Sequence, residues 1–433
     1  MSKSINLLLK CDLSGIQNFI FNVPSEGAAK ELKSRSMYVQ GIADDCMEEL
    51  MNYFEEKKTK PLYNGGGNFY LEVETSKSKS EVQSKIDDIQ SLYVTSDIFP
   101  YIAFIEKREN IAESLNEVNR TVQKAKLQRP VSFDLLDATP IRVEPIKLNE
   151  INGINGQVPK GDFSWIAEKS DGDKKLAAIK LDVDNLGSLF MGRTEVDYKK
   201  MSKAIKEFFD KELLELILNE EMEQNIYVVF SGGDDCFLIG SWNKIFDLAI
   251  ILRNKFADFQ SKLRTQIKFE EDKEITFSAG IVVFAPHYPM LQMSEEAEEA
   301  LDRSKGNRYR DNGETKEKNS VTVFGKTLTW KEFERAQSIA STLTDLIENE
   351  EESKGLTKIF RAVFPVRNEM PKVWKLKYFL RRNVKNRNLD IVKPIFDDYE
   401  QALLFRYIKN DAKNPDVFLV ASRWAELILK KSE

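Results

Sequence analysis

The stretch YVVFSGGDDCFLIG, residues 227–240, places two apolar runs on either side of a Gly-Gly-Asp-Asp turn. Apolar residues around paired glycines are typical of a β-hairpin, because glycine takes positive φ angles without steric cost. The pattern predicts a hairpin with Asp234 and Asp235 at its tip, where Gly232 and Gly233 let a ligand approach the backbone. A solvated turn uses the same residue types, so this stretch alone leaves both interpretations open.

A second acidic stretch, LAAIKLDVDNLG at residues 176–187, leads from a buried-looking strand into Asp182 and Asp184. If the two strands are neighbours in one sheet, four carboxylates meet and repel one another unless a divalent cation lies among them. Mg²⁺ and Mn²⁺ prefer such oxygen ligands, and a site of this kind supports phosphoryl or nucleotidyl transfer. The predicted metal ligands are Asp182, the Val183 carbonyl, Asp234 and Asp235.

The composition excludes several classes of protein. With 433 residues, 42% of them hydrophobic and 31% charged, the chain is long enough for two or three globular domains. Its net charge of −6 argues against bulk coating of nucleic acid, and its three cysteines form no CxxC pair, so we expect neither a disulfide framework nor a zinc site. One histidine cannot supply a histidine-rich hydrolase centre. We expect no signal peptide, no membrane span and a cytoplasmic location.

The order of predicted elements repeats along the chain. The first 130 residues predict strand, helix, hairpin, helix, strand and helix, the order of a ferredoxin-like or palm domain, and the chain after residue 175 predicts the same order. Asp12 precedes Gly67 by 55 residues, and Asp182 precedes Asp234 by 52, which indicates an internal duplication. Only the second copy has acids at its turn, so we expect one catalytic and one degenerate copy.

We therefore predict an α+β protein in which two ferredoxin-like palm domains face each other and a C-terminal helical bundle follows. The expected bounds are residues 1–135 for the degenerate palm, 136–175 for a connector rich in Pro, Gly, Asn and Asp, 176–329 for the catalytic palm and 330–433 for the helical domain.

A basic segment, WKLKYFLRRNVKNR at residues 374–387, interrupts the otherwise acidic chain. Aromatics between positive charges are typical of a nucleic-acid or partner surface, although the solvated face of an amphipathic helix has the same composition. The spacing of Trp374, Tyr378 and Phe379 predicts one shared helical face, which favours a protein interface.

These motifs resemble the palm-bearing large subunit of type III CRISPR effector complexes, most closely that of the III-A (Csm) branch. DLSGIQNFIF, YNGGGNFYL and VSFDLL resemble the first palm of that family, while KLDVDNLGSLF, FSGGDDCFLIGSWN and NSVTVFGKTLTWKEFE resemble its second, GGDEF-related palm. The resemblance covers nearly the whole chain. It implies that the GGDD palm polymerises ATP into cyclic oligoadenylates, a second messenger of antiviral defence made on recognition of target RNA.

The resemblance and metal chemistry together imply roles for individual residues. Two Mg²⁺ or Mn²⁺ ions would bind the triphosphate of ATP, with Asp234 and Asp235 as the catalytic acids, and Lys305 would neutralise phosphate charge. Asp184 has a structural alternative, as a cap on the turn after its strand. The expected nucleotide-binding residues are Ser14, Gly65, Gly66, Gly67, Asp184, Asn185, Gly187, Ser231, Gly232, Gly233 and Lys305.

Relatives of this kind usually begin with an HD-type nuclease domain, whereas this chain starts at the first palm, so DNA cleavage is not expected of it. The implied partners are the other subunits of a type III complex with CRISPR RNA and target RNA, and no membrane; a stand-alone homodimer is the alternative. Two other functions stay open. One is a GGDEF-like cyclase that makes a cyclic di- or trinucleotide, and the other is a non-catalytic scaffold of an RNA-guided complex.

Overall fold

The computed structural model describes residues 4–55, 58–93, 97–127, 161–186, 195–233, 235–266, 274–311, 313–365, 371–408 and 414–430. These residues form a mixed α+β structure with a four-stranded sheet, a six-stranded sheet and a separate two-stranded ribbon. Within them, no helix combines the length and the apolar character that crossing a membrane requires.

The first sheet is antiparallel, with strand order β2-β3-β1-β4. Alternate residues of its strands are buried, as in Phe69, Leu71 and Val73, because one face of the sheet packs on helices. The elements are β1 (Ile5–Ser14), α1 (Ile16–Phe21), α2 (Ala28–Phe54), β2 (Thr59–Gly65), β3 (Asn68–Thr75), α3 (Lys79–Ser91), β4 (Phe99–Glu106) and α4 (Ile111–Lys126).

The second sheet has the order β12-β11-β8-β5-β7-β6, with β11 parallel to β8 and its other pairs antiparallel. Its central strand β5 is buried along nearly its whole length, which explains the continuous apolar run in the sequence. The elements are α5 (Phe163–Glu168), β5 (Leu176–Val183), α6 (Glu195–Glu207), α7 (Leu213–Asn219), β6 (Ile226–Gly232), β7 (Asp235–Ser241), α8 (Trp242–Gln266), β8 (Phe277–Phe284), α9 (Met290–Lys305), β9 (Arg308–Asp311), β10 (Glu314–Glu317), β11 (Ser320–Val323) and β12 (Lys326–Thr329).

A π-helical segment, Phe208–Glu212, joins α6 to α7 where the sequence predicts one uninterrupted helix. Phe208 and Phe209 are buried there, and both rings pack against Phe256 of α8. A π-helix is rare and is often found at functional sites. Here it lets two successive phenylalanines enter the core, while Asp210 is left half-buried at the surface of a cleft.

The pairing register repeats between the two sheets. β1 lies between β3 and β4, and β5 lies between β7 and β8, so the two halves share the same strand order. Asp12 is the cross-strand partner of Asn68, and Asp182 is the cross-strand partner of Asp235. The two pairs occupy equivalent positions, which supports the internal duplication predicted from spacing.

Each hairpin also has an irregularity at the same distance from its turn. The register shifts between Pro61 and Tyr63 in β2, and between Val228 and Phe230 in β6. A β-bulge increases local twist and redirects the residues that follow it. Equivalent bulges therefore present the two turns with similar geometry.

The C-terminal helices begin at a capping box, in which the Thr329 side chain accepts from the Glu332 backbone N–H and the Glu332 carboxylate accepts from the Thr329 N–H. Trp424 packs against Phe246 of α8 and Phe333, so these helices share a hydrophobic core with the second sheet. The elements are α10 (Trp330–Glu348), α11 (Gly355–Val363), α12 (Trp374–Asn383), α13 (Leu389–Ile408) and α14 (Asp416–Leu429).

The structure differs from the sequence-based prediction in the connector and in short polar strands. The predicted connector, residues 136–175, contains a helix that was not predicted: α5 forms with Asp162 as its N-cap, and the Ser241 hydroxyl donates to the Ile166 carbonyl. Residues 136–160 lie outside the described residues. The strands β9 and β10 escaped prediction because their residues are mostly exposed and polar, so they carry no apolar alternation.

Candidate functional site

The Gly-Gly-Asp-Asp turn lies at the end of the β6–β7 hairpin, as predicted. Gly232 and Asp235 face each other as the last described pair of the two strands. Gly233 has a φ of +71°, and a Cβ atom there would overlap the hydroxyl oxygen of Tyr63, which reaches over from β2. Only glycine fits this position without displacing Tyr63. Asp234 and Gly187, two of the predicted site residues, lie outside the described residues.

The strands that carry the two acidic stretches are neighbours, which the metal-site prediction requires. Asp182 of β5 lies directly opposite Asp235 of β7, and Val183 ends β5 as a buried residue. Two carboxylates and a backbone carbonyl are hard oxygen donors of the kind that Mg²⁺ and Mn²⁺ prefer. In the part of the chain that the structure describes, no group of three or more His, Cys, Asp or Glu residues is placed to hold a metal ion. The described residues therefore supply part of the predicted ligand set.

A cationic side chain already lies at Asp182. The Lys305 Nζ, in the last turn of α9, is 2.8 Å from an Asp182 carboxylate oxygen. Burial lowers the pKa of Lys305, but the charge and hydrogen bond of Asp182 outweigh burial and hold that pKa above its usual value. Positive charge at this position is thus electrostatically favourable, which fits a cation-binding site.

Asp184 is enclosed by hydrogen-bond donors of the protein itself. Its side chain is buried, with the residue 2% exposed, and it accepts hydrogen bonds from the Ser278 and Thr276 hydroxyls, each at 2.8 Å, and from the Asn319 backbone N–H at 3.0 Å. Burial raises its pKa, and the hydrogen bonds from Thr276 and Ser278 oppose that rise. The structure therefore favours the structural role of Asp184 over the nucleotide-binding role expected from the sequence, because both carboxylate oxygens are occupied.

The turn after β5 is held by a second turn, residues 318–319. The Asn185 side-chain oxygen accepts a hydrogen bond of 2.5 Å from the Lys318 Nζ. Asn185, Lys318 and Asn319 have positive φ angles of 57°, 62° and 46°, a conformation that non-glycine residues adopt only at a cost of about 1–3 kcal/mol each. Three strained residues at one contact indicate that its geometry is tightly constrained. The Asn185 side chain is therefore exposed but is held by its hydrogen bond from Lys318.

A cleft of about 600 Å³ lies between the two glycine-containing turns; we call it the inter-hairpin cleft. A Cβ atom at Gly65 would lie 3.4 Å from the Gly233 nitrogen, so the two turns nearly touch. The Lys206 Nζ donates a hydrogen bond of 2.6 Å to the Asn64 carbonyl and joins α6 to the first hairpin. The predicted residues that line this cleft are Gly65, Gly66, Gly67, Ser231, Gly232 and Asp235.

Two other predicted residues lie elsewhere. Ser14 ends β1, where its hydroxyl is 3.5 Å from the Phe99 carbonyl, and it does not line the inter-hairpin cleft. Lys305 is placed beside Asp182, one strand away from Asp235, rather than in the cleft wall. The structure thus brings the two turns together and sets the Asp182–Lys305 pair next to them.

Two family models match this chain. Residues 5–135 match Csm1 subunit domain B, and residues 175–313 match the second palm domain of Cas10/Cmr2. The chain belongs to the Cas10/Csm1 family. The matched residues contain both hairpins and nearly all of the strands that surround the inter-hairpin cleft.

Curated members of the Cas10/Csm1 family extend the likeness. The Streptococcus thermophilus protein named CRISPR system single-strand-specific deoxyribonuclease Cas10/Csm1 (subtype III-A) is 24% identical, and the match covers 95% of this chain and 67% of that protein. The protein of the same name from Enterococcus italicus is 22% identical, with 89% of this chain and 63% of that protein covered. The chain therefore spans about two thirds of the length of these relatives.

Solved Csm1-Csm4 structures share the fold. A Csm1-Csm4 cassette in complex with one ATP has a TM-score of 0.66 at 19% identity, covering 99% of this chain and 70% of that chain. A cassette in complex with cA4 has a TM-score of 0.63 at 18% identity, covering 98% of this chain and 70% of that chain.

Three lysines in the cleft of this Cas10/Csm1 family member were not singled out from the sequence. Lys180 lies two residues before Asp182, so both side chains leave the same face of β5, and strand alternation is the signal that identifies it. It forms an ion pair with Glu298. Lys206 and Lys33 sit on long helices whose periodicity does not distinguish them from ordinary surface lysines. Lys33 is 7% exposed, and burial lowers its pKa to about 8.

The basic segment of this family member divides between exposed and packed residues. Trp374 is 64% exposed and Tyr378 is 52% exposed, whereas Phe379 stacks on Phe396 of α13 with ring centroids 6.4 Å apart. Phe379 thus departs from the shared aromatic face predicted from the spacing, because its ring packs toward the core. Several of the positive charges form ion pairs within the chain: Lys377 with Glu400, Lys385 with Glu351 and Arg387 with Glu350.

Proposed function

We propose that this chain is a metal-dependent nucleotidyltransferase that polymerises ATP into cyclic oligoadenylates in type III CRISPR defence, on recognition of target RNA. The observation that carries the proposal is the inter-hairpin cleft, in which Asp235 lines the wall and Asp182 lies directly opposite Asp235 on the next strand. Similar folds have been solved with ATP, pppApA, cA3 and cA4, which supports a nucleotide as the ligand.

The architecture behind the proposal is a pair of palm domains that face each other across this cleft. The repeated strand order and register support it, as do the contacts between Tyr63 and Gly233 and between Lys206 and Asn64. We propose residues 1–135 as the degenerate palm and 176–329 as the catalytic palm, with 330–433 as the helical domain. The degenerate palm has Asn68 where the catalytic palm has Asp235.

Two Mg²⁺ or Mn²⁺ ions would be held by Asp182, the Val183 carbonyl, Asp235 and the sequence-predicted Asp234. Bound there, such ions neutralise triphosphate charge and lower the pKa of an attacking 3′-hydroxyl.

The other contributions come from the chain itself. The glycine backbones at residues 65–67 and at Gly232 allow close approach of phosphates, and the Lys33 and Lys206 side chains supply positive charge in the same cleft. Lys305 balances the charge of Asp182 before any ion binds.

The test is product analysis by mass spectrometry after the purified chain, in its RNA-bound complex, is incubated with each of the four nucleoside triphosphates and Mg²⁺ or Mn²⁺. We expect cyclic oligoadenylates from ATP alone. The double substitution Asp234→Ala with Asp235→Ala should abolish them without unfolding the protein. The matched control is Asp87→Ala with Asp88→Ala, because these adjacent aspartates are exposed on α3 and do not line the inter-hairpin cleft.

The other outcomes of this experiment separate the alternatives. A cyclic dinucleotide or trinucleotide made by a free homodimer would indicate a GGDEF-like cyclase. No metal-dependent turnover by the assembled complex would indicate a scaffold. Unchanged product from the Asp234/Asp235 double variant would overturn the site assignment.

The relatives are named single-strand-specific deoxyribonucleases, yet we predict that this chain does not cleave single-stranded DNA. It contains one histidine, His287, for which no cluster of further imidazoles is available. Incubation of the complex with labelled single-stranded DNA and Mn²⁺ checks this prediction, and cleavage above that of a control without the chain would contradict it.

We propose other subunits of a type III-A complex, CRISPR RNA and target RNA as the partners. The solved Csm1-Csm4 subcomplex, which covers 98% of this chain, supports a Csm4-type subunit as one of them. Co-purification of a tagged chain with the products of neighbouring genes is the direct check. A chain that remains a homodimer in the presence of those products would argue for the stand-alone alternative.

A further inference from the structure

A second cleft, of about 1260 Å³, lies on another part of the molecule. Its walls come from the β9–β10 hairpin, α8, the junction between β12 and α10, and the residues before α14. We call it the arginine cleft, after Arg253 of α8 and Arg308 and Arg310 of β9. It shares no lining residue with the inter-hairpin cleft. Nothing in the proposed polymerisation uses it.

Arg253 lies in the wall of this cleft with unsatisfied donors. Its Nε and Nη1 atoms are buried and have no hydrogen-bond partner among the described residues. Burial lowers the pKa of Arg253, while the charges of Glu274, Asp184 and Glu334 act in the opposite direction. A buried guanidinium without acceptors is costly, so natural proteins keep one where an anion or a specific contact compensates.

Asn319 supplies a second unsatisfied atom, of the opposite kind. Its side-chain oxygen is buried without a donor, although its side-chain nitrogen donates to the Tyr309 hydroxyl at 3.3 Å and its backbone N–H donates to Asp184. The wall of the cleft therefore carries unused donors of Arg253 and an unused acceptor of Asn319, and because these atoms are buried, a ligand would bond to them only after the two side chains turn toward the cleft. A ligand that satisfies both must carry an anionic group and a hydroxyl or amino group.

The charge of the cleft has the sign that such a ligand requires. Four carboxylates line it, and two of these are paired, Asp311 with Lys316 at 3.3 Å and Asp416 with Lys326 at 3.1 Å. A third, on Glu332, accepts from the Thr329 N–H in the capping box. Six cationic residues line the cleft against these four carboxylates, so positive charge predominates there in a chain whose net charge is −6. The six cationic lining residues are Arg253, Arg308, Arg310, Lys316, Lys326 and Lys331.

We propose that the arginine cleft binds the phosphate group of a nucleotide or polynucleotide, with Arg253 facing the phosphate and Asn319 accepting from a hydroxyl or amino group of the same ligand. A nucleotide combines both chemistries, because its phosphate is anionic and its ribose hydroxyls or base amino group are donors, whereas a simple carboxylate carries no donor. Guanidinium groups are the preferred partners of phosphate because they are planar, permanently charged and weakly hydrated. The cleft is also large enough for more than a free phosphate ion.

A ligand bound in the arginine cleft would affect the candidate metal site through residues that are linked covalently and by hydrogen bonds. Asn319 donates to Asp184, which lies two residues after Asp182, and Lys318 holds Asn185. A single hydrogen-bonded pair, Asn319 with Asp184, therefore connects the arginine cleft to the turn that follows β5, the strand that carries Asp182. Ligand binding at the arginine cleft does not depend on catalysis, so it can be measured separately from nucleotide polymerisation.

The test is isothermal titration of the full chain in EDTA with three probes: pyrophosphate, ATP and a single-stranded oligoadenylate RNA. EDTA removes divalent ions and so suppresses binding at the inter-hairpin cleft. We expect at least one probe to bind, and Arg253→Gln to weaken that binding at least tenfold. The control is Arg120→Gln, the same chemical change at an exposed position on α4, which should bind like the wild type.

The probe that binds most tightly identifies the source of the phosphate: RNA indicates a polynucleotide backbone, and ATP or pyrophosphate indicates a free ligand. Asn319→Asp is the second variant, because it keeps the backbone N–H to Asp184 but sets a negative charge against the phosphate. It should also weaken binding at least tenfold. No heat with any probe, or equal affinity in the wild type and in whichever of the two cleft variants is folded by circular dichroism, overturns the proposal.

Discussion

The Lys305 ammonium lies 2.8 Å from a carboxylate oxygen of Asp182, so that a helix-terminal cation faces the strand-end acid that is predicted to bind metal. Asp182 in turn faces Asp235 across two paired strands. Without a bound ion, Lys305 is the positive charge that offsets the repulsion between these carboxylates. Lys305 and a bound metal ion would thus reduce the same repulsion between Asp182 and Asp235.

Lys305→Met should therefore lower thermal stability in EDTA, by about 0.5–1 kcal/mol because the pair is partly exposed, and Mg²⁺ should restore most of the loss. The measurement is thermal unfolding of both proteins with EDTA and with Mg²⁺. Arg303→Met is the control, since Arg303 is on the same helix but pairs with Glu299 away from the site. An equal deficit of Lys305→Met in both conditions would argue against a cation at Asp182.

Gly233→Ala should destabilise the protein by about 2–4 kcal/mol, because it combines a positive φ with overlap between the new methyl group and the Tyr63 hydroxyl. Tyr63→Phe in the same chain should recover part of that loss. Gly27→Ala isolates the backbone contribution, since Gly27 has a φ of +72° with open space around it. Urea unfolding of the wild type and these three variants measures each contribution. A Gly233→Ala loss no larger than that of Gly27→Ala would show that Tyr63 does not restrict the turn.

Lys33→Met should raise the free energy of unfolding at pH 7. The folded pKa of Lys33 is about 8, below its usual value of 10.5, so the folded state binds the proton less well than the unfolded state. The penalty is fully present below pH 8 and is lost as the pH rises toward 10.5, with an upper size of about 3 kcal/mol.

Urea unfolding of wild type and Lys33→Met from pH 6 to 10.5 measures this difference, and the curves should converge at high pH. Lys30→Met, one turn earlier on α2 and exposed, is the control and should follow the wild type. A constant difference between wild type and Lys33→Met across the range would mean that the charge of Lys33 is not the cause.

Asp184→Asn should lower the free energy of unfolding by about 1–3 kcal/mol, because an amide group places donors against the hydroxyl or backbone donors that now reach the carboxylate. Asp182→Asn, two residues earlier, removes only a partly exposed pair and should cost less than about 1 kcal/mol. Chemical denaturation compares the two. Wild-type stability of Asp184→Asn would return Asp184 to the set of candidate ligand contacts.

Phe379→Ala should destabilise α12 by about 1–3 kcal/mol, since its ring packs on Phe396, whereas Trp374→Ala and Tyr378→Ala should change stability by less than about 0.5 kcal/mol. Replacement of the two exposed aromatics by alanine should instead weaken assembly with a partner subunit if they form an interface.

Direct RNA contact by the basic segment is the alternative. It predicts that RNA binding depends steeply on salt concentration and that a variant that lacks Lys375, Arg381 and Arg382 loses this dependence, so a salt series of RNA binding by that variant decides between the two.

The strands, hairpins and long helices were predictable because each has a local pattern: apolar runs at β5 and β7, paired glycines at the turns and amphipathic periodicity in α9 and α10. The meeting of the acids was predicted only on the condition that the two strands are neighbours, and the antiparallel pairing of β5 with β7 meets that condition by bringing Asp182 opposite Asp235.

The fate of individual side chains was not predictable in the same way. Asp184 and Lys33 are typical surface residues by type, and only tertiary packing buries them. The strands β9 and β10 are polar, and the arginine cleft is formed by segments distant in sequence, so neither has a local signal. The packing of Phe379 was not predictable for a related reason, because helical spacing indicates which residues share a face but not which neighbour covers that face.

The π-helical segment between α6 and α7 determines how this region responds to a change in the number of its residues. A π turn contains about one residue more than an α turn, so deletion of one residue would let Phe208–Glu212 close into regular α-helix. The wider π turn takes up this extra residue, so side chains before the deletion would keep nearly the same orientation relative to those after it, whereas a deletion inside a regular helix rotates them by about 100°. Lys206 would thus stay on the cleft and Leu213 in the core. A one-residue deletion within Phe208–Glu212 should therefore be tolerated better than one inside α6 or α7.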